Sequence, residues 1–293
     1  MKWLESVSFI LLRRKTTRTK ILFMKLLFLD LDGTLLNDDK EISAGDMEAI
    51  ERMLKAGHKV IINSGRPLYS IMVLARKFNF LREGFYISAF NGGLIYDSVN
   101  DRRIKNDTLD DEVVRYMFDK AYEMGLHAHT YIDDHVVSER DTKELRFYTD
   151  RIHMPPLITD DFSKETNGAP PKVIVISLDG KEHLEKYRDA MQAFANENQL
   201  YCTFSDVRLL EYANPLANKG EAIRFMCRYL GVDISDTVAA GDEENDLPMI
   251  EAAHVGVCMK NGVDALKDKA DYITENTNNE CGIKEIIEKF ILV

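Results

Sequence analysis

Lys25-Leu26-Leu27-Phe28-Leu29-Asp30-Leu31-Asp32-Gly33-Thr34 is the stretch on which the reading of this chain turns. A short apolar run of strand length ends in two carboxylates two residues apart. Like charges raise each other's pKa, and burial disfavours both anions. Such a pair at the end of a buried strand calls for a positive partner, and a divalent cation is the simplest.

Three further segments share this setting. Val60-Ile61-Ile62-Asn63 leads into Ser64-Gly65-Arg66, Lys219-Gly220 stands before a helical pattern, and Thr237-Val238-Ala239-Ala240-Gly241 leads into Asp242-Glu243-Glu244-Asn245-Asp246. Around them, strand-like and helix-like segments alternate, which predicts a parallel sheet with helical crossovers. Strands are expected at 59–63, 85–89, 237–240, 255–259 and 272–274. Helices are expected at 43–55, 68–78, 220–230, 245–253 and 283–290. Ser43 suits a helix N-cap with Asp46 at the third helical position, Gly57 suits the close of that helix, and Pro67 suits a helix start.

The middle of the chain reads differently. A helix is predicted over 110–124, alternating stretches near 127–131 and 135–138, and a strand–helix pair over 173–178 and 182–197. Two short strands follow near 201–204 and 209–212. Pro155-Pro156 and Gly168-Ala169-Pro170-Pro171 mark loops. This is an α+β insert with its own small sheet.

In order and spacing, the four segments resemble the haloacid dehalogenase superfamily, and within it the Cof-type sugar-phosphate phosphatases, whose cap lies between the second and third motifs. The resemblance runs from about Met24 to the C-terminus. The Asp-x-Asp-Gly-Thr and Gly-Asp-x-x-Asn-Asp motifs are each fairly specific; a lone Ser-Gly-Arg or a lone lysine would be weak. It implies an α/β fold with a Rossmann-like parallel-sheet core and an inserted α+β cap. The expected division is an extension over 1–23, core over 24–106, cap over 107–209 and core again over 210–293.

Ligands of open α/β sheets bind beyond the carboxyl ends of the strands, where Asp30, Ser64 and Asp242 would meet. Asp30 is the expected nucleophile, forming an aspartyl-phosphate that water hydrolyses. Asp32 is the expected general acid and base, with Gly33 allowing a tight turn. Mg²⁺ would screen the repulsion between carboxylate and phosphate. Asp30 and Asp242 are its expected side-chain ligands, and Asp246 binds directly or through water. The family likeness adds the backbone carbonyl of Asp32 as a metal ligand. Ser64, in the Ser64-Gly65-Arg66 loop, suits a hydrogen bond to a phosphoryl oxygen. Lys219 adds positive charge, Asn245 orients a ligand or the lysine, and Arg66 could reach substrate. By resemblance, the Leu31 and Asp32 amides cradle the phosphate, with Asn91 and Gly92 at the rim. Each has a plainer alternative: a solvated strand-end pair, loop and cap residues, a turn serine, a surface lysine or arginine, a structural Asn turn. His127, His129 and His135, near Tyr131, Asp133 and Asp134, match no metal template and read as core or solvated histidines; if the stretch faces the core, His129 or Tyr131 could read the sugar.

Composition limits the partners. The net charge of −11 disfavours nucleic acid and anionic membranes, so an anionic substrate must be drawn by local cations. The four cysteines form no C-x-x-C pair, and read as reduced thiols of a cytoplasmic protein. Residues 4–12 are too short an apolar run to span a bilayer. The expectation is a Mg²⁺-dependent phosphatase of small phosphorylated metabolites, sugar phosphates foremost, monomer or dimer. The alternatives are a phosphatase for pyridoxal phosphate or a nucleotide, a phosphomutase, and a phosphometabolite sensor without turnover. Glu243-Glu244 and Met259-Lys260-Asn261-Gly262 depart from the usual family pattern and bear on substrate preference.

Overall fold

Leu26–Leu29, wholly buried, forms a central strand of an eight-stranded sheet in the computed structural model, which describes residues 24–293. The expected extension over 1–23 lies outside the described residues. The sheet order is Tyr272–Ile273, Val255–Cys258, Thr237–Gly241, Leu26–Leu29, Lys59–Asn63, Phe85–Ala89, Leu94–Asp97, Arg102–Asn106. The first six strands are parallel; the last two add an antiparallel edge. Strands buried on both faces need no apolar–polar alternation, which is why the central runs read as continuous Leu, Ile and Val.

Helix Ala44–Lys55 starts where the sequence predicts. The Ser43 hydroxyl accepts from the Asp46 amide at 3.0 Å and donates to the Asp46 carboxylate at 2.8 Å. Gly57, with φ +94°, follows its C-cap. Leu68–Lys77 follows Pro67.

A second sheet of six strands has the order Tyr201–Asp206, Leu209–Ala213, Lys172–Ile176, His127–Tyr131, Val136–Ser138, Pro156–Ile158. Helices Asp111–Glu123 and Lys181–Glu197 cover one face, where Val114, Met117, Phe118, Leu184 and Tyr187 meet Ala128, Val173, Val175 and Leu210. The whole is an α/β fold with a parallel-sheet core and an inserted α+β unit.

The insert extends further than the sequence division at 209/210 implies. Leu209 and Leu210 stand opposite Ile176 and Val175, so the strand through Ala213 belongs to the small sheet. The pattern reads a strand near 209–212 within the insert, and the division at 209/210 cuts across it. The two connecting segments run side by side, with the Asn214 side chain donating to Thr108 O at 3.2 Å. Pro156 opens a strand where the sequence predicts a loop, and it does so at the sheet edge, where a missing N–H is tolerated. The core's edge strand Arg102–Asn106 is charged and exposed, so no apolar alternation announces it.

Candidate active site

Parallel register brings the motifs together. Leu29 stands opposite both Ala240 and Ile62, so Asp30 leaves its strand level with Gly241 and Asn63. Asp242 and Ser64 follow one residue further along the neighbouring strands. The Asp30 amide is held by Ala240 O at 3.1 Å. Thr34 then donates to Asp242 Oδ1 at 2.6 Å, tying the first motif to the fourth across more than 200 residues of chain.

Gly33 is required at this junction. It has φ +80°, and a Cβ there would lie 2.1 Å from Asp242 Oδ2. Gly92, with φ +96°, leaves no room for a Cβ against Asn218 O. That close approach positions the start of helix Lys219–Leu230. The helix is capped by the Asn218 side chain, which accepts from the Glu221 amide. Asn63 donates to Lys219 O at 3.1 Å and is itself held by the Ser88 hydroxyl at 2.8 Å.

Lys219 is fully buried between two carboxylates. Its Nζ lies 2.6 Å from Asp30 Oδ1 and also bonds Asp246 Oδ1. Asp246 uses its other oxygen to accept from the Asp242 and Glu243 amides, at 2.9 and 3.1 Å. Burial pushes the Asp30 carboxyl up to about 7, against the opposing pull of Lys219, and the Asp246 charge adds to the rise. Burial likewise lifts Asp242 to about 7 despite its bond from Thr34. Burial alone would lower Lys219, but Asp246 and Asp30 hold it well above its ordinary range.

Asp30, Asp242 and Asp246 offer oxygens within 4.8 Å of one another. An all-carboxylate donor set suits a hard cation such as Mg²⁺ or Ca²⁺ rather than a soft one. A positive ion there would answer the charge that Lys219 alone leaves unbalanced, three carboxylates against one ammonium. The residues therefore fit a metal. The Asp32 carboxylate does not join this cluster.

Asp32 faces the other way. Arg66 grips it through two bonds, Nε–Oδ2 and Nη2–Oδ1, both 2.7 Å, and Lys40 Nζ adds a third at 2.8 Å. Burial tends to raise this carboxyl, but Arg66 and Lys40 outweigh it and hold it below the usual range. Arg66 is thus engaged by Asp32, a contact the sequence does not show. Ser64 is buried, and its hydroxyl accepts from the Arg66 amide at 3.2 Å. Asn91 bonds Ser64 O through its amide at 2.9 Å, and Gly65 packs beneath its side chain. Asn245 donates to Asn91 Oδ1 at 3.2 Å rather than to Lys219 or a carboxylate. Leu31 is buried, with its carbonyl accepting from Leu36 at 2.8 Å.

Sequence reasoning overlooked Thr34, Lys40, Asn63 and Asn261. Thr34 stood in the quoted motif itself. Asn261 donates to Gly33 O at 2.8 Å, so the unusual 259–262 loop braces the first motif's turn. Asn63 ended the second quoted segment without being singled out, and Lys40 carries no motif signal. The histidines are resolved as core and surface groups: His127 and His129 are buried side by side, and His135 pairs with Asp134. A hollow of about 770 Å³, lined by Asp111, Arg115 and Asp161 among others, lies on the helix-covered side of the small sheet, away from these carboxylates.

A family model of haloacid dehalogenase-like hydrolases matches residues 27–287. The chain belongs to that family. This hydrolase is 30% identical to the Bacillus subtilis 5-amino-6-(5-phospho-D-ribitylamino)uracil phosphatase YwtE, over 92% of this chain and 98% of the other. A haloacid dehalogenase-like hydrolase from Bacteroides thetaiotaomicron superposes with a TM-score of 0.81 at 29% identity, covering 91% of this chain and 99% of that one. A Thermotoga maritima structure gives 0.80 at 29% identity, covering 91% and 97%.

Proposed function

We propose that this phosphatase hydrolyses small phosphorylated metabolites, sugar phosphates foremost, through an aspartyl-phosphate on Asp30 with Mg²⁺ held by Asp30, Asp242 and Asp246. One observation carries the reading: these three carboxylates and Lys219 converge on a single buried point at the carboxyl edge of the sheet. The Bacillus subtilis relative supports the substrate class, since its named substrate bears its phosphate on a polyhydroxylated ribityl chain.

In this reading an Asp30 oxygen attacks phosphorus and the bond from phosphorus to the leaving oxygen breaks. Asp32 delivers a proton to that oxygen. Water then attacks the same phosphorus while Asp32 takes its proton, and phosphate leaves with Asp30 restored. Bound Mg²⁺ supplies the charge that lets a carboxylate meet a phosphate dianion. Lys219 holds Asp30 and Asp246 in place. Ser64, Asn245 and the amides of Leu31 and Asp32 serve the phosphoryl oxygens, with Gly65, Asn91 and Gly92 shaping the rim. Asp32 starts the cycle paired with Arg66 and Lys40, so its taking up a proton requires that pair to loosen as substrate arrives.

The core would comprise 24–106 and 214–293, and the cap 107–213. We place the enzyme in the cytoplasm acting on a soluble metabolite, in keeping with its net charge of −11 and four free thiols. No helix among the described residues is long and apolar enough to cross a membrane.

The test is p-nitrophenyl phosphate hydrolysis with Mg²⁺, with EDTA, and by Asp30→Asn. Release should require the metal and vanish in the variant. Binding of phosphorylated ligands without release would favour the sensor, and metal-independent release would contradict the proposed site.

A further inference from the structure

Lys105 stands in the edge strand Arg102–Asn106, just before the chain leaves the core for the insert. Charged side chains on an edge strand ordinarily point to solvent and keep other strands away. Arg102 and Arg103 do so, but Lys105 turns inward. An ammonium has three N–H groups, and Lys105 uses them on three neighbours. It donates to Gly92 O at 2.7 Å, to Leu216 O at 3.1 Å and to the Asp107 carboxylate.

These acceptors lie on separate stretches of chain. Asp107 opens the segment that runs into the insert, and Leu216 belongs to the segment that returns from it. Gly92 sits in the 90–93 loop at the rim of the candidate active site. The outgoing segment is tied to that loop a second time, since the Asp107 amide donates to Gly93 O at 2.7 Å. The returning segment, 214–218, is a turn bonded within itself: Asn214 accepts from the Leu216 and Ala217 amides, and the Asn218 side chain donates to Pro215 O. Among the described residues no hydrogen bond joins this turn directly to the loop, so Lys105 is what links them.

The linked pieces bear directly on Lys219. Asn218, in the same turn as Leu216, caps the helix whose first residue is Lys219. Contact between turn and loop leaves no slack. A Cβ on Gly92 would lie 2.6 Å from Asn218 O and 3.1 Å from the Ala222 Cβ, and one on Gly93 would lie 3.0 Å from the Ala217 Cβ. Packing this close passes a shift on rather than absorbing it. The loop in turn is fixed to the second motif, where the Phe90 and Asn91 amides donate to Arg66 O and Ser64 O at 3.0 and 2.9 Å.

We propose that Lys105 is a positioning residue for the reaction: by clamping the 214–218 turn to the 90–93 loop it sets the start of the Lys219 helix, and so places the Lys219 ammonium between Asp30 and Asp246. The proposal rests on the phosphatase reading above. Lys105 acts at a distance, through the backbone of Leu216 and Asn218, and touches neither carboxylate. Its loss displaces the charge that holds the nucleophile, which slows the chemical step more than it weakens the hold on substrate.

The experiment measures p-nitrophenyl phosphate hydrolysis with Mg²⁺ in the parent, Lys105→Met, Lys105→Arg, Lys219→Met and the double variant Lys105→Met/Lys219→Met. Lys105→Met should lower kcat by about 10–100-fold, the order that a displacement of about 1 Å costs, with KM within about 3-fold of the parent. Lys105→Arg keeps the charge and the donors and should hold kcat within about 3-fold. In the Lys219→Met background the Lys105 change should cost nothing further, because the group it positions is gone, whereas a merely structural clamp would cost the same factor again. If the double variant does not fold, the split between kcat and KM in Lys105→Met and its recovery in Lys105→Arg decide. A parent-like kcat in Lys105→Met, a loss carried by KM, no recovery in Lys105→Arg, or an undiminished loss in the Lys219→Met background overturns the proposal and leaves the phosphatase reading standing. A parent without turnover overturns that reading, and this proposal with it.

Discussion

Among the described residues two lysines are buried, one in each sheet region, and their surroundings differ. Lys219 lies between Asp30 and Asp246, with both acids tied in turn into the strand ends around them. Lys172 has one carboxylate and two aromatic rings. The core lysine is accounted for by the negative charge it balances. The cap lysine has a single ion-pair partner among the described residues.

The largest expected effect lies at Lys219. Lys219→Met should lower turnover by about 10³-fold, the order seen when one preorganised charge contact is lost from an active site. It should also destabilise the protein by about 3–5 kcal/mol, because it strands buried carboxylates. Added Mg²⁺ should recover part of the thermal midpoint. Lys172→Met should be milder on both counts when assayed with p-nitrophenyl phosphate. Equal losses in the two variants would erase the distinction between the regions.

Acidity probes the same contrast. Asp30 and Asp242 stand at about 7, above the 3.8 of a free carboxyl. Each therefore stabilises the fold fully below about 4 and withdraws that contribution as pH rises through about 7. Metal binding must displace those protons at low pH. Thermal shift assays should find Mg²⁺ raising the midpoint more at pH 8 than at pH 6, and the reverse order would contradict the cluster as the metal site.

In the cap the sign is opposite. Burial pushes His127 down to about 3 and His129 well below its ordinary 6.5, with the neighbouring cations adding to the effect. Both are neutral in the fold and would take protons once unfolded. Their contribution is intact above about 6.5 and fades on acidification, by up to about 1.4 kcal/mol per pH unit for each histidine. His127→Leu/His129→Leu should flatten acid denaturation below pH 6, and an unchanged acid limb would show that other groups set it. The smallest effect belongs to Lys40, more than half exposed beside Asp32. Lys40→Ala should leave stability within about 0.5 kcal/mol of the parent, since Arg66 still holds Asp32.

The core site was legible because its residues lie at strand ends in short contiguous motifs. Asp30, Ser64 and Asp242 follow apolar runs whose parallel register makes them neighbours. Arg66 was legible only as a candidate, and its grip on Asp32 was not legible, since the side-chain path between loops leaves no trace in spacing. The cap was less readable for the same reason. Lys172 and Glu211 are single charged residues in strands that meet only through antiparallel pairing. The pattern also gave no sign of helix Lys143–Ile152, whose Tyr148 packs against Tyr131. The charged edge strand Arg102–Asn106 was hidden because exposure removes the alternation that marks a strand.

The most direct measurement is a single turnover with phosphorus-radiolabelled substrate, quenched in acid and peptide-mapped. Label should appear transiently on the peptide carrying Asp30, require Mg²⁺, and be absent from Asp30→Asn. Turnover without protein-bound label, or label on any other residue, would contradict the nucleophile and the arrangement built around it.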